Sequence, residues 1–92
     1  MTNIRNFIIK NHNYKTFELT PTNGRKSFYG KAKVVVYPNG AQALISYETF
    51  VAFKDTDGTV HRLWDGWSAT TGSHIKAFTG MNKAQFTKLD VE

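Results

Sequence analysis

The sequence predicts an α+β domain over residues 1–92, a small antiparallel sheet of about four strands with one short C-terminal helix packed on it. Three observations carry this. Apolar residues recur with period two in the runs 14–20, 28–37, 41–53 and 59–64, which sends successive side chains to opposite faces of a sheet. Asn39-Gly40 and Asp57-Gly58 sit between those runs, and such pairs mark hairpins because Gly accepts positive φ without strain. The segment 68–73 is rich in hydroxyls and precedes His74, Ile75 and Phe78, as expected where Ser and Thr oxygens cap a helix.

In chain order, Ile4, Phe7 and Ile8 have helical spacing, but Asn3, Asn6, Asn11 and Asn13 are poor helix formers. The first dozen residues are therefore expected as a short strand or an irregular arm. Residues 14–20 follow as a first strand, and Pro21 with Asn23-Gly24 breaks it into a loop carrying Arg25 and Lys26.

The run 28–37 is the clearest strand, since Val34, Val35 and Val36 are β-branched and fit a pleated surface. One side holds Phe28, Gly30, Ala32, Val34 and Val36, and the other Tyr29, Lys31, Lys33, Val35 and Tyr37. Pro38-Asn39-Gly40 then turns the chain into a second arm, 41–53. That arm is much longer than the usual strand of about five or six residues, so a bulge or bend near Ser46 is expected.

After the turn at 55–58, residues 59–64 carry apolar groups on both faces, as in a central or covered strand. Thr71 or Ser73 is expected to cap the helix that follows, Ile75 and Phe78 to face the sheet, and Gly80 to end it. Asn82 can cap a last short helix with Phe86 and Leu89 inward, although the alternation at Phe86, Lys88 and Asp90 fits a strand nearly as well.

Ninety-two residues with seven Phe, four Tyr and two Trp supply a thin but sufficient core. The absence of cysteine excludes disulfides, thiolate metal sites and a thiol nucleophile. The apolar run 7–9 is too short for a signal peptide or a membrane span, so a cytoplasmic protein of the host bacterial cell, with no membrane partner, is expected. Net charge is +5, and it is unevenly spread: residues 1–40 hold seven Lys or Arg against Glu18, while 41–92 are nearly balanced. A basic first half points to an acidic or polyanionic partner, or to a solvated surface that keeps a small domain soluble.

The segments SFYGKAKV, SYETFVAF and WSATTGSHIKAF together resemble a family of short uncharacterised proteins from phages, plasmids and other mobile elements of Gram-positive bacteria. The resemblance covers residues 14–80, and Ser68-x-Thr70-Thr71-x-x-His74-Ile75 is its most specific part. It implies a mobile-element origin and transfers no catalytic site.

Tyr29, Lys31, Lys33 and Tyr37, with Arg25 and Lys26 in the preceding loop, have the ingredients of single-stranded nucleic-acid binding: rings for bases and cations for phosphate. FYGKAKVVV echoes RNA-recognition strands but has Ala32 and Val34 where that pattern requires aromatic residues. The bland alternative is an outward sheet face with Lys stems lying over rings. Trp64 and Trp67 flank Asp65-Gly66, and unless the chain bends there one indole is exposed as a protein-interface anchor. The alternative is that both are buried in a small core.

Asp65, Ser68, Ser73 and His74 supply the residue types of a hydrolytic triad but lack a nucleophile elbow, and they read as helix caps and a first-turn His. His12, His61 and His74 match no ligand spacing. No catalytic residue, metal or cofactor is therefore expected. The expected function is that of a mobile-element accessory protein acting by macromolecular binding. Its partner would be a host protein, with inhibition of a bacterial defence through a CRISPR effector nuclease as the specific expectation. The alternative is a small basic nucleic-acid-binding protein.

Overall fold

The computed structural model describes residues 4–11, 15–19 and 30–92, with the backbone alone of Arg5. It shows α1 (Ile4–Lys10), β1 (Lys15–Glu18), β2 (Ala32–Val36), β3 (Gln42–Ser46), β4 (Thr49–Lys54), β5 (Val60–Arg62), α2 (Ala69–Thr79) and α3 (Lys83–Thr87). The strands form one antiparallel sheet in the order β1-β2-β3-β4-β5, so each pairs with its sequence neighbour.

The expected hairpins form where turn chemistry placed them. At the β2–β3 turn Tyr37 N donates to Ala41 O (2.9 Å) and Gly40 N to Tyr37 O (2.9 Å). Gly40 takes φ 93°, a left-handed position that a side chain would strain. At the β4–β5 turn Asp55 N donates to Thr59 O (2.8 Å) and Gly58 N to Asp55 O (3.0 Å).

Two expectations are corrected. The run 41–53 is two strands, not one, because the chain reverses at Tyr47-Glu48 with Ser46 opposite Thr49. The sheet therefore has five strands. The irregularity expected near Ser46 is also present: Ile45 pairs Phe50 but Leu44 pairs Ala52, leaving Val51 as the extra residue of a bulge. The second correction concerns the first residues, where a helix replaces the expected strand or arm. Ile4, Phe7 and Ile8 gain more by packing on the sheet than Asn6 costs in propensity, which is only some tenths of a kcal/mol.

The helices divide the core between the two sheet faces. On one face Ala32, Val34, Leu44, Val51 and Ala52 pack with Ile75 and Phe78 of α2 and Phe86 of α3. On the other, Val35, Tyr37, Ala43, Phe53 and Leu63 pack with Ile4, Phe7 and Ile8 of α1. Phe7 meets Tyr37 edge-on at 5.0 Å and Phe53 at 5.6 Å. Each fully buried Val, Leu or Phe contributes about 1.5–3 kcal/mol, so both layers are needed to hold so small a fold.

Helix ends follow their signals with one shift. Ser68, not Thr71 or Ser73, caps α2, its Oγ accepting from Thr71 N (3.1 Å). Gly80 closes α2 in the left-handed conformation. Asn82 and Gln85 form a reciprocal capping box on α3. Lys54 reaches from β4 to donate to Phe78 O (2.8 Å), satisfying a carbonyl in the last turn of α2. Buried Arg62 donates to Trp64 O (2.9 Å), Thr87 O (3.1 Å) and Leu89 O (3.3 Å), tying α3 and the tail beyond it to β5. Val91 bridges Arg62 in parallel, so the strand-like alternation there contributes one pairing after the helix.

Candidate functional site

The structure divides the predicted sites. Arg25, Lys26 and Tyr29 lie outside the described residues, as does His12. Lys31 and Lys33 are exposed. Tyr37, expected beside them on an open face, is 2% exposed and cannot offer its ring to a ligand. The reason is α1: it covers the far half of that face, so the face is basic and open at Lys31 and Lys33 but closed at Val35 and Tyr37.

Neither Trp64 nor Trp67 is a protruding anchor. The chain bends at Asp65, just before Gly66, and both indoles pack half-buried against the core that holds Phe86. A Cβ at Gly66 would lie 2.6 Å from the Trp64 ring, and one at Gly72 would lie 2.6 Å from Trp67 Cε2. Small residues at 66 and 72 are what let the rings lie flat on the chain.

The hydrolytic grouping does not assemble. Ser68 is a cap, Ser73 Oγ donates to Ala69 O (3.1 Å), and Asp65 is exposed. His74 is 1% exposed and shares a hydrogen bond through Nδ1 with Ser46 Oγ (2.8 Å), which in turn bonds Thr71 Oγ1 (3.0 Å). Thr71 and His74, three residues apart, lie on one face of α2 and fasten it to the end of β3. His74 is thus tied to a side chain 28 positions back in the chain.

What the fold does assemble is a corner at the β3–β4 turn. Tyr47 occupies the first turn position at φ 59°, a conformation that non-glycine residues adopt at a cost of about 1–2 kcal/mol. Its N–H donates to Lys31 O (2.7 Å), so the turn is pinned to the chain entering β2. The Tyr47 ring lies 5.9 Å from the His74 ring, and Lys31 Nζ stands 5.5 Å from the Tyr47 centroid, within cation–π range. Tyr47 nevertheless remains 51% exposed. Gly30, Lys31, Tyr47, Glu48 and Thr49 line a shallow open depression there. Sequence reasoning placed Tyr47 inside a strand. The signal that could have found the turn was the excessive length of the 41–53 run, since Tyr-Glu is not a turn dipeptide.

The corner can offer a flat aromatic surface next to the Lys31 ammonium, with the exposed Lys33 two positions further along the chain in β2. Among the described residues no group of three or more His, Cys, Asp or Glu side chains could hold a metal ion. Nor is any described helix long and apolar enough to cross a membrane.

A family model described as a family of unknown function (DUF8033) matches residues 17–91. No curated protein and no solved structure matches the chain.

Proposed function

We propose that this chain, which belongs to the DUF8033 family of unknown function, acts by binding a macromolecule and not by catalysis, and that single-stranded nucleic acid docks at the Lys31 and Tyr47 corner. The observation that carries this reading is the exposed Tyr47 ring, held at positive φ between the His74 ring and the Lys31 ammonium. Strained, exposed residues concentrate at functional positions. A half-exposed ring suits base stacking, and Lys31 and Lys33 suit the phosphates on either side of a stacked base. The protein would act in the cytoplasm of the cell that makes it. The test is fluorescence anisotropy of labelled single- and double-stranded oligonucleotides at about 50 and 200 mM salt. Two or three neutralised phosphates on a single strand correspond to a loss of about tenfold over that range. No binding at either salt overturns the assignment.

A second reading is favoured by Phe17, which is 54% exposed on β1, a strand that among the described residues pairs only with β2. An apolar ring on such a strand suits a protein partner. Under this reading the chain is a mobile-element accessory protein that inhibits a host defence, with a CRISPR effector nuclease as the target. Adding it to a purified effector with guide and target DNA should then block cleavage, and a Phe17→Ser variant should block less. Undiminished cleavage with the native chain removes the reading.

A further inference from the structure

On the face that α2 covers, the sheet carries an apolar row running from strand to strand. The registers set Ala52 of β4 beside Leu44 of β3, Leu44 beside Val34 of β2, and Val34 beside Phe17 of β1. Ala52, Leu44 and Val34 are buried, whereas Phe17 is more than half exposed. The row therefore ends uncovered at its largest side chain, on a strand that among the described residues pairs with β2 alone.

The backbone of β1 shows what fits beyond it. Leu19 N donates to Ala32 O (3.0 Å), so Leu19, and with it Phe17 and Lys15, turn their polar backbone groups toward β2. Thr16 and Glu18 alternate with these and present N–H and C=O to the outer edge. A second copy, antiparallel and related by a dyad at Phe17, sets Thr16 of each chain opposite Glu18 of the other, and each such pair exchanges both N–H···O bonds. Phe17 then faces its own image at a non-hydrogen-bonded position, where Cα atoms approach to about 4.5 Å and side chains lie closest. On the other face, the Thr16 hydroxyl stands beside the Glu18 carboxylate of the second copy. Lys15 falls opposite half-buried Leu19, so like charges do not meet.

We infer that β1 is a self-association edge, through which two copies of this chain join their sheets with the Phe17 rings in contact across the dyad. Such an interface is isologous, each chain giving and receiving the same contacts. The second copy completes the apolar row in both directions, from Val34 through the two Phe17 rings to Val34 of the other chain, and it satisfies the outward backbone groups of Thr16 and Glu18. A four-residue strand makes a small interface, so the pair forms and separates with concentration.

The test is sedimentation equilibrium of the full chain from micromolar to near-millimolar concentration, where the mass should rise to twice that of one chain. Over the same series amide exchange should slow at Thr16 and Glu18 more than at Phe17, whose amide already faces β2. Thr16→Pro removes an outward N–H that β2 does not use, so it should keep the native unfolding midpoint and weaken pairing at least tenfold. Phe17→Lys and Phe17→Asp each set like charges against each other at the dyad and should be monomeric where the native chain is paired. Mixed in equal amounts, the two variants should associate more tightly than either does alone, because opposite charges then meet. A native chain that stays monomeric throughout overturns the assignment and leaves Phe17 to a different protein. A dimer retained by both Thr16→Pro and Phe17→Lys, or a mixture of the charged variants that associates no better than its components, overturns it as well.

Discussion

Ser46 Oγ and His74 Nδ1 lie 2.8 Å apart in the protein interior, joining the end of β3 to the middle of α2. Both side chains are almost wholly buried, and Thr71 completes the chain of hydrogen bonds. Removing one partner leaves the other without its bond and out of reach of water, which costs about 1–3 kcal/mol. Ser46→Ala and His74→Leu should each shift the urea midpoint by that amount at unchanged m-value. The double variant should lose less than the sum, since the bond between Ser46 and His74 can be lost only once. Strictly additive losses would mean that the link contributes no coupling.

Gly72 sets two effects of similar size against each other. Alanine in a helix interior is worth about 1 kcal/mol over glycine. A Cβ at this position, however, would sit 2.6 Å from Trp67 Cε2, and overpacking of that kind costs about 1–3 kcal/mol. Because the indole is wedged against Phe86 at 6.1 Å, it cannot simply withdraw. Gly72→Ala should therefore destabilise, with a change in Trp fluorescence. In a Trp67→Leu background the same substitution should become neutral or stabilising, and thermal unfolding of the four proteins checks the reversal.

What the sequence made legible, and what it hid, follows the range of the forces involved. The turns at Pro38-Asn39-Gly40 and Asp55–Gly58 were readable because the residues that need unusual φ are those that form the turn. The same holds for the capping box of Asn82 and Gln85. The Tyr47-Glu48 reversal was hidden because its conformation is imposed from outside, by the Lys31 carbonyl and the His74 ring. The α1 helix was hidden because its stability comes from Tyr37 and Phe53, which are distant in sequence. The candidate site suffered from the same blindness. Alternation put Tyr37 on the face of Lys31 correctly, but nothing local said that a helix would cover one and spare the other.

Asp57 gives a pH dependence whose sign can be stated. Thr59 N donates to its Oδ1 (2.9 Å), and this bond, with smaller help from the Thr59 side chain and His61, holds the carboxyl below its ordinary value of 3.8. The folded state therefore binds the proton less readily than the unfolded chain. The resulting stabilisation is fully present above the unfolded value and is lost as pH falls through the folded one. Comparing Asp57→Asn with the native chain by urea unfolding, the native advantage should be seen at pH 6 and shrink steadily below about pH 4. A difference that does not vary with pH would show that the ionised carboxylate contributes nothing to the turn.

Tyr47 separates binding from stability. At φ 59° its backbone is strained by about 1–2 kcal/mol, and asparagine tolerates this conformation better than an aromatic residue. Against that relief stand the ring contact with His74 and the Lys31 ammonium, together worth about 1 kcal/mol at a half-exposed site. Tyr47→Asn should therefore leave the unfolding free energy within about 0.5 kcal/mol of the native value or raise it. If the ring stacks a base, oligonucleotide affinity should fall over the same substitution by about 1–3 kcal/mol, roughly 5- to 160-fold. Tyr47→Phe should keep most of the affinity, since stacking uses the ring and not the hydroxyl. Affinity that survives the loss of the ring would return Tyr47 to a purely structural role, with its strain a by-product of closing the hairpin.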